Sequence, residues 1–128
     1  MEVDPGKKVK ILLVEDEPTV ARVCARILAI DGFQVDIAAD GEAAREMMKF
    51  SSYDMCLADI RMPGESGIDF YRYLEHTTPA LAEKVAFTTG DILGVNTRNF
   101  LKEANKPFLA KPFTPAELKR VVHGTLDQ

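Results

Sequence analysis

Two hydrophobic periods alternate along the chain, and they predict strands and helices in turn. Residues 9–14 are almost continuously apolar, which is typical of a central parallel strand covered on both faces. Apolar residues then recur at steps of three and four, which predicts an amphipathic helix with Pro18 in its first turn and Asp31-Gly32 at its end. The buried face of that helix is predicted to carry Val20, Val23, Cys24, Ile27 and Leu28.

The same alternation repeats, and it gives five strand–helix units. Phe33, Val35 and Ile37 alternate with polar residues as in a half-buried edge strand, and Asp40 is placed to cap a second helix. Short connections between alternating strands and helices predict an α/β fold, a doubly wound parallel sheet in a three-layer sandwich. The other strands are predicted at 53–58, 85–88 and 107–110, and the other helices after the loop at 63–67, at 96–105 and from Thr114-Pro115 onward.

The composition is that of one globular domain without a membrane segment. The 128 residues fall within the usual domain size of roughly 100–150, and the hydrophobic fraction of 46% argues against disorder. No apolar run approaches the roughly 18 residues that a membrane helix needs. Because the formal net charge is −4, the electrostatics give no reason to expect nucleic acid as a direct ligand, and a protein partner is favoured.

The start of the chain and its two cysteines point to a cytoplasmic protein. Residues 1–8 lack the apolar core of a secretory signal, and we expect them to form a flexible lead-in to one domain at residues 9–128. Cys24 and Cys56 lie inside apolar segments rather than at the spacing of paired metal ligands. We interpret them as small buried hydrophobic side chains in a reducing compartment.

Polar residues recur where the predicted strands end. Acidic residues follow the first strand and end the third, hydroxyl residues end the fourth, and a lysine follows the fifth. The carboxyl ends of parallel strands lie at one edge of a sheet, which is where α/β folds bind ligands. We therefore expect these side chains to meet there: Glu15, Asp16, Asp59, Thr88, Thr89 and Lys111.

This set of residues suits phosphoryl transfer. Glu15, Asp16 and Asp59 would repel one another, and a small divalent cation such as Mg²⁺ or Mn²⁺ would neutralise them. Mg²⁺ completes its coordination with waters and phosphate oxygens, so a phosphoryl substrate fits the site. Lys111 and the Thr89 hydroxyl could then contact the transferring oxygens, with Asp59 as the nucleophile that forms an aspartyl phosphate.

Four segments together resemble the motifs of response-regulator receiver domains of two-component phosphorelays. Their order and approximate spacing follow the family, and the resemblance extends from about residue 9 to about residue 126. It implies a flavodoxin-like sandwich with five parallel strands in the order 2-1-3-4-5. The segments are Leu13-Val14-Glu15-Asp16-Glu17, Asp59-Ile60-Arg61-Met62-Pro63 with Gly67, Thr89-Gly90-Asp91, and Lys111-Pro112-Phe113.

The resemblance also implies a role for each site residue. Asp59 would accept a phosphoryl group from a phosphohistidine on a histidine kinase or a histidine phosphotransfer protein. Asp16 and Asp59 would bind Mg²⁺ directly, Glu15 would act through a bound water, and the backbone carbonyl of Arg61 would add a ligand. Lys111 would pair with Asp59 at rest and with the phosphoryl oxygens afterwards, and its bond to the following proline would be cis.

Switching and phosphoryl lifetime involve further residues. Phosphorylation would draw Thr89 and Lys111 toward the new charge and change a protein-interaction surface formed by the last two long helices and the fifth strand. Phe108 is either a core aromatic or the side chain that turns inward when Thr89 moves. Arg61 and Asp91 carry opposite charges and could form an ion pair over the phosphoryl group. His76 and His123 are interpreted as surface side chains on helices away from the site.

Two other functions remain open, and so does the protein context. An aspartyl-phosphate phosphohydrolase would share the nucleophile and metal, although such enzymes usually carry a second Asp where this chain has Arg61. A receiver-like scaffold would bind its partner without phosphorylation. We expect no enzymatic turnover from the isolated domain beyond its own phosphorylation and dephosphorylation. The segment before Lys111 lacks a Gly-Ala turn and resembles receivers fused to hybrid histidine kinases, so the chain is either a domain of such a kinase or a free single-domain regulator. The sequence does not identify the cognate kinase or the downstream protein.

Overall fold

Five parallel strands form one sheet in the computed structural model, which describes residues 7–62, 64–90 and 94–128. The sheet order is β2-β1-β3-β4-β5, which confirms the predicted order, and β2 is an edge strand as its alternating pattern indicated. Residues 1–6 of the expected lead-in lie outside the described residues. The strands are β1 Lys10–Val14, β2 Gln34–Ala38, β3 Met55–Asp59, β4 Val85–Thr89 and β5 Phe108–Ala110.

Helices connect successive strands, as the alternating periods predict. One element was not predicted, the four-residue helix α4, because a single turn is too short to show a 3.6-residue period. Pro79 opens it, and its own Leu81 and Ala82 are buried. The helices are α1 Pro18–Ile30, α2 Gly41–Met48, α3 Gly67–Thr77, α4 Pro79–Ala82, α5 Val95–Ala104 and α6 Pro115–Leu126.

Local hydrogen bonds fix where the helices begin. The Asp40 side chain accepts from the backbone N–H of Ala43 at 2.8 Å, which confirms its predicted role as the cap of α2. Thr114 and Glu117 form a reciprocal capping box at the start of α6, because each side chain accepts from the other residue's backbone N–H. These caps satisfy N–H groups that a helix cannot pair internally.

Two hydrophobic cores cover the two faces of the sheet. Alternate residues of β1 enter different cores, so that Leu12 and Val14 pack with α2, α3 and α5. Ile11 and Leu13 pack with α1 and α6 on the opposite face. This arrangement confirms the three-layer sandwich, and it fixes the carboxyl ends of the central strands between two packed helical layers.

Two apolar residues that the pattern assigned to the inner faces of α1 and β2 lie at the surface instead. Val23 is 54% exposed because the buried strip of α1 is narrow and consists of Ala21, Cys24 and Leu28. Ile37 is also exposed, since the edge strand β2 is covered less completely than the central strands. The positions that a 3.6-residue period assigns to the border of an apolar face can therefore face either way.

Both cysteines are free and buried, in agreement with their interpretation as small hydrophobic side chains. Burial raises the pKa of the Cys24 thiol to about 11 and that of Cys56 to about 12. Thiolate, the reactive form, is therefore disfavoured at both positions. Among the helices of the described residues, none combines the length and apolar character needed to cross a membrane.

Candidate functional site

The predicted polar residues lie at one edge of the sheet, where four strands end. Glu15 follows β1, Asp59 ends β3, Thr89 ends β4 and Lys111 follows β5. The parallel register aligns Asp59 with Thr88 on the neighbouring strand. The topology thus brings together side chains that are far apart along the chain.

Three carboxylates form the centre of this edge. One carboxylate oxygen from each of Glu15, Asp16 and Asp59 lies within 4.8 Å of the others. Glu15 and Asp59 are each only 4% exposed, whereas Asp16 is half-buried. Three hard oxygen donors at this separation match the preference of a small divalent cation, and Asp16 leaves the group open to solvent on one side.

Lys111 bridges two of these carboxylates. Its Nζ atom lies 2.9 Å from Asp59 Oδ2, which is the predicted contact, and 2.8 Å from Glu15 Oε1, which the sequence did not indicate. Glutamate is one methylene longer than aspartate, and this length allows Glu15 to share the ammonium. Burial alone would lower the pKa of Lys111, but the hydrogen bonds and charges of Asp59 and Glu15 outweigh it and raise the pKa, so the ammonium stays charged.

Glu15 is the strained member of the cluster. Burial raises the pKa of its carboxyl group, and the nearby charge of Asp59 adds to the effect, against the opposing influence of Lys111 and the Glu17 backbone N–H. A raised pKa means that the charged carboxylate is less stable here than in water. An additional cation at this edge would therefore relieve an existing electrostatic cost.

Backbone contacts orient Asp59. The Arg61 N–H donates to Asp59 Oδ1 at 3.0 Å, while Lys111 donates to Oδ2, so both carboxylate oxygens are held by donors. The described residues of the β3–α3 loop are 60–62 and 64–66, and the Gly67 N–H donates to Ile60 O at 2.9 Å across the base of the loop. Asp59 therefore stands at the end of a strand whose following loop is held at both ends.

Gly67 allows α3 to approach the end of β3. A Cβ atom at this position would lie 2.9 Å from Ile60 Cα, and even closer to the backbone oxygen of Asp59. Real Cβ atoms essentially never come so near, and both neighbours are backbone atoms that cannot rotate away. The glycine in the predicted motif is thus required by the packing of α3 against the strand that carries Asp59.

Gly67→Ala should lower the free energy of unfolding by about 2 kcal/mol, since the added methyl group overpacks a rigid contact. Chemical denaturation in urea measures this change. Gly124→Ala is the matched control, because among the described residues outside its own stretch of helix no atom lies within 4 Å of a Cβ at position 124, and alanine favours helix there. Equal unfolding free energies for Gly67→Ala and the wild type would contradict the predicted contact.

Thr89 and Phe108 occupy the part of the edge nearest β5. Thr89 is fully buried at the end of β4, and its carbonyl accepts from the Lys111 N–H at 2.8 Å. Phe108 is 46% exposed, so its interpretation as a core aromatic is wrong in this conformation. Phe108 belongs to the edge strand β5, whereas its register partner Phe87 on β4 is buried and packs edge-to-face against Tyr71 and Phe100. The inward turn of Phe108 stays a prediction.

Several predicted features lie elsewhere. Asp91 and Pro63 are outside the described residues, so the proposed Arg61–Asp91 pair stays a hypothesis.

His76 is exposed on α3, as expected. His123 is not simply solvated, because its Nε2 atom lies 2.7 Å from Asp31 Oδ2 and its ring packs against Phe33. The bond between Lys111 and Pro112 is cis, as the family resemblance implied.

Comparisons with known proteins agree with this geometry. The sequence model of one protein family, the response regulator receiver domain, matches residues 11–123. The transcriptional regulatory protein CpxR of Escherichia coli is 34% identical over 120 residues, covering 91% of this chain and 49% of CpxR. The transcription factor SKN7 of Saccharomyces cerevisiae is 30% identical over 115 residues, covering 88% of this chain and 18% of that protein. The chain thus spans half or less of the length of these curated relatives.

A solved structure with the same fold contains a metal complex. The response regulator TrrA of Thermotoga maritima, crystallised in complex with Mg²⁺-BeF, superimposes with a TM-score of 0.78 and 28% sequence identity. The match covers 91% of this chain and 98% of that one. The sheet order, the site geometry and the family match lead to the same result: this chain belongs to the response-regulator receiver domains.

Proposed function

We propose that Asp59 is the phosphoacceptor of this receiver domain and that it takes a phosphoryl group from a phosphohistidine on a partner protein. The observation that carries this proposal is the position of Lys111, which contacts Asp59 and Glu15 at the centre of the acidic cluster. A cation held against the nucleophile is placed to meet the negative oxygens of an incoming phosphoryl group.

The donor set fits a divalent ion. Asp16 and Asp59 supply carboxylate oxygens, the Arg61 backbone carbonyl can add another, and Glu15 can act through a water. Bound Mg²⁺ or Mn²⁺ would neutralise charge on the carboxylates and on the phosphoryl oxygens. The Mg²⁺-BeF complex of TrrA supports this assignment, because the two domains share a fold.

The transfer itself needs little from the protein beyond placement and charge. An oxygen of Asp59 forms a bond to phosphorus while the bond from phosphorus to the partner's imidazole nitrogen breaks, and the electron pair leaves with the imidazole. The Lys111 ammonium then moves from the Asp59 carboxylate to the phosphoryl oxygens, and the Thr89 hydroxyl donates to one of these oxygens. The aspartyl phosphate then carries a larger negative charge than the carboxylate it replaces.

This added charge supplies the signal. Lys111 and Thr89 lie at the ends of β5 and β4, so their movement toward the phosphoryl group changes the surface around β5, where Phe108 is half-exposed. A coupling of about 1–3 kcal/mol is enough to shift the population between two shapes of this surface. A downstream protein that binds one shape better reads the phosphorylation state.

A groove next to the site is suited to the phosphodonor partner. It has a volume of about 490 Å³ and lies between α1 and the segment after β5, with Val20, Val23 and Ile27 on one side and Phe113 on the other. Lys111 lines both this groove and the acidic site. A helix that brings a phosphohistidine to Asp59 can therefore pack its apolar face here.

Val23→Asp should slow phosphotransfer from a protein donor by about tenfold or more, because it places a charge in the apolar lining of the groove. The donor is an autophosphorylated histidine kinase that is selected because it phosphorylates the wild-type chain. Ile30→Asp is the control, since Ile30 is exposed on the same helix but does not line the groove. Uptake from acetyl phosphate should be unchanged in both variants, and equal kinase rates would exclude this docking surface.

Incubation with acetyl phosphate, with and without MgCl₂, tests the proposed function. We expect one phosphoryl group per chain, dependent on the metal, stable in acid and labile in base. Multiple turnover of small phosphate esters would instead indicate a phosphohydrolase, and no labelling by acetyl phosphate or by any kinase would indicate a binding scaffold. A cytoplasmic location and an origin in a hybrid histidine kinase stay predictions.

A further inference from the structure

An ion pair connects the β3–α3 loop to helix α2. Glu65, near the end of the loop, pairs through Oε1 with Nη2 of Arg45 on α2. The side chains are 21% and 39% exposed, respectively, so this pair is more enclosed than the Glu46–Lys49 pair on the same helix. The contact joins two elements that are adjacent in space but separated by a complete strand.

Arg45 is also fixed by a third element. Its guanidinium carbon lies 4.0 Å from the centre of the Tyr73 ring on α3, which is a cation–π contact. Its Nε atom is buried and has no hydrogen-bond partner among the described residues. The Tyr73 ring and the Glu65 carboxylate therefore hold the guanidinium in place. These contacts offset the cost of burying the Nε–H group without a hydrogen bond.

The start of α2 is shaped to receive Glu65. A Cβ atom at position 41 would lie 2.5 Å from Glu65 Oε2, so a residue larger than Gly41 would push the carboxylate away. The loop is thus held at three points: the Arg61 N–H bonds to Asp59, Glu65 bonds to Arg45, and the Gly67 N–H bonds to Ile60 O.

We infer that Arg45 and Glu65 are positioning residues for the divalent-ion site, because they hold the β3–α3 loop, in which the backbone carbonyl of Arg61 would be a ligand of the ion. This inference rests on the proposed function. Neither side chain belongs to the acidic cluster, so both act through the chain that connects Glu65 to Arg61. Groups that orient metal ligands directly typically change affinity by about 10–100-fold, and an indirect contact should have a smaller effect.

Arg45→Ala separates positioning from simple electrostatics. Removing a positive charge would by itself strengthen cation binding, whereas release of the loop would weaken it. We expect the dissociation constant for Mn²⁺, measured from the electron paramagnetic resonance signal of the free ion, to rise by about 3–10-fold. Glu65→Ala should weaken binding similarly, although there the loss of negative charge contributes as well.

Lys49→Ala is the matched control, because it removes an exposed cation from the C-cap of α2 without touching the loop. Its dissociation constant should equal that of the wild type or fall slightly. Melting temperatures in EDTA show whether the variants remain folded, and they should change by only a few degrees because partly exposed ion pairs contribute little to stability.

The possible failures are distinguishable. A wild-type chain that does not bind Mn²⁺ would overturn the proposed function and this inference with it. A wild-type chain that binds Mn²⁺, together with unchanged or tighter binding in Arg45→Ala, would overturn the inference alone. If Arg45→Ala does not fold, Arg45→Gln replaces it. Wild-type affinity for Mn²⁺ in both Arg45→Gln and Glu65→Ala would then overturn the inference.

Discussion

Asp59→Asn should abolish phosphoryl uptake from acetyl phosphate in the presence of Mg²⁺, as measured by the mass of the intact protein. The amide has nearly the shape of the carboxylate but lacks the charged oxygen that attacks phosphorus. It also removes one of the three carboxylates that would hold the ion, so metal binding should weaken as well. The fold should persist, because loss of this charge reduces repulsion with Glu15.

Asp127→Asn is the control for this experiment. Asp127 is an exposed carboxylate at the end of α6, so this variant should incorporate phosphate as the wild type does. Wild-type labelling of Asp59→Asn would remove Asp59 from its proposed role. Tryptic mapping of the labelled residue would then identify the true acceptor.

Lys111→Met should produce opposite effects on metal binding and phosphorylation. The variant leaves Glu15 and Asp59 without their shared cation, so the metal-free protein should lose about 3 kcal/mol of unfolding free energy in denaturant titrations. Divalent ions should bind more tightly, because the ammonium no longer competes for the same oxygens. The rate of phosphoryl uptake should nevertheless fall by about 100-fold, since the charge that follows the transferring oxygens is missing.

Two further variants interpret that result. Lys49→Met removes an exposed ion pair and should change stability by well under 1 kcal/mol. Lys111→Arg keeps the charge but replaces a compact ammonium by a planar group. Its free energy of unfolding should therefore stay close to that of the wild type, while its rate of phosphoryl uptake should fall. Unchanged uptake in Lys111→Met would show that this lysine serves only to balance the buried carboxylates.

The fold was predictable because its signals are local. The continuous apolar run of β1 indicated a strand buried on both faces, and Asp40 and Thr114 marked helix starts that the structure confirms. The placement of Glu15, Asp59 and Lys111 at one edge followed from a general property of parallel sheets.

The missed features depend on the distance between side chains that are remote in sequence. The second contact of Lys111, to Glu15, requires a particular side-chain length and could not be read from the spacing of strands. The Arg45–Glu65 pair and the exposed position of Val23 likewise depend on how helices pack on the sheet. Periodicity identifies a helix face, but it does not set the borders of that face.

The double contact of Lys111 has a consequence for how the protein responds to ion concentration. The resting domain contains its own internal counterion, because the Lys111 ammonium offsets part of the charge of the three carboxylates. An arriving metal would have to share Glu15 and Asp59 with that ammonium or displace it. The affinity for the metal therefore depends on how much more strongly the carboxylates attract the metal ion than the Lys111 ammonium. If this difference is small, the metal binds weakly and dissociates readily. If the proposed function holds, this receiver would gain and lose its metal readily as phosphoryl groups arrive and depart.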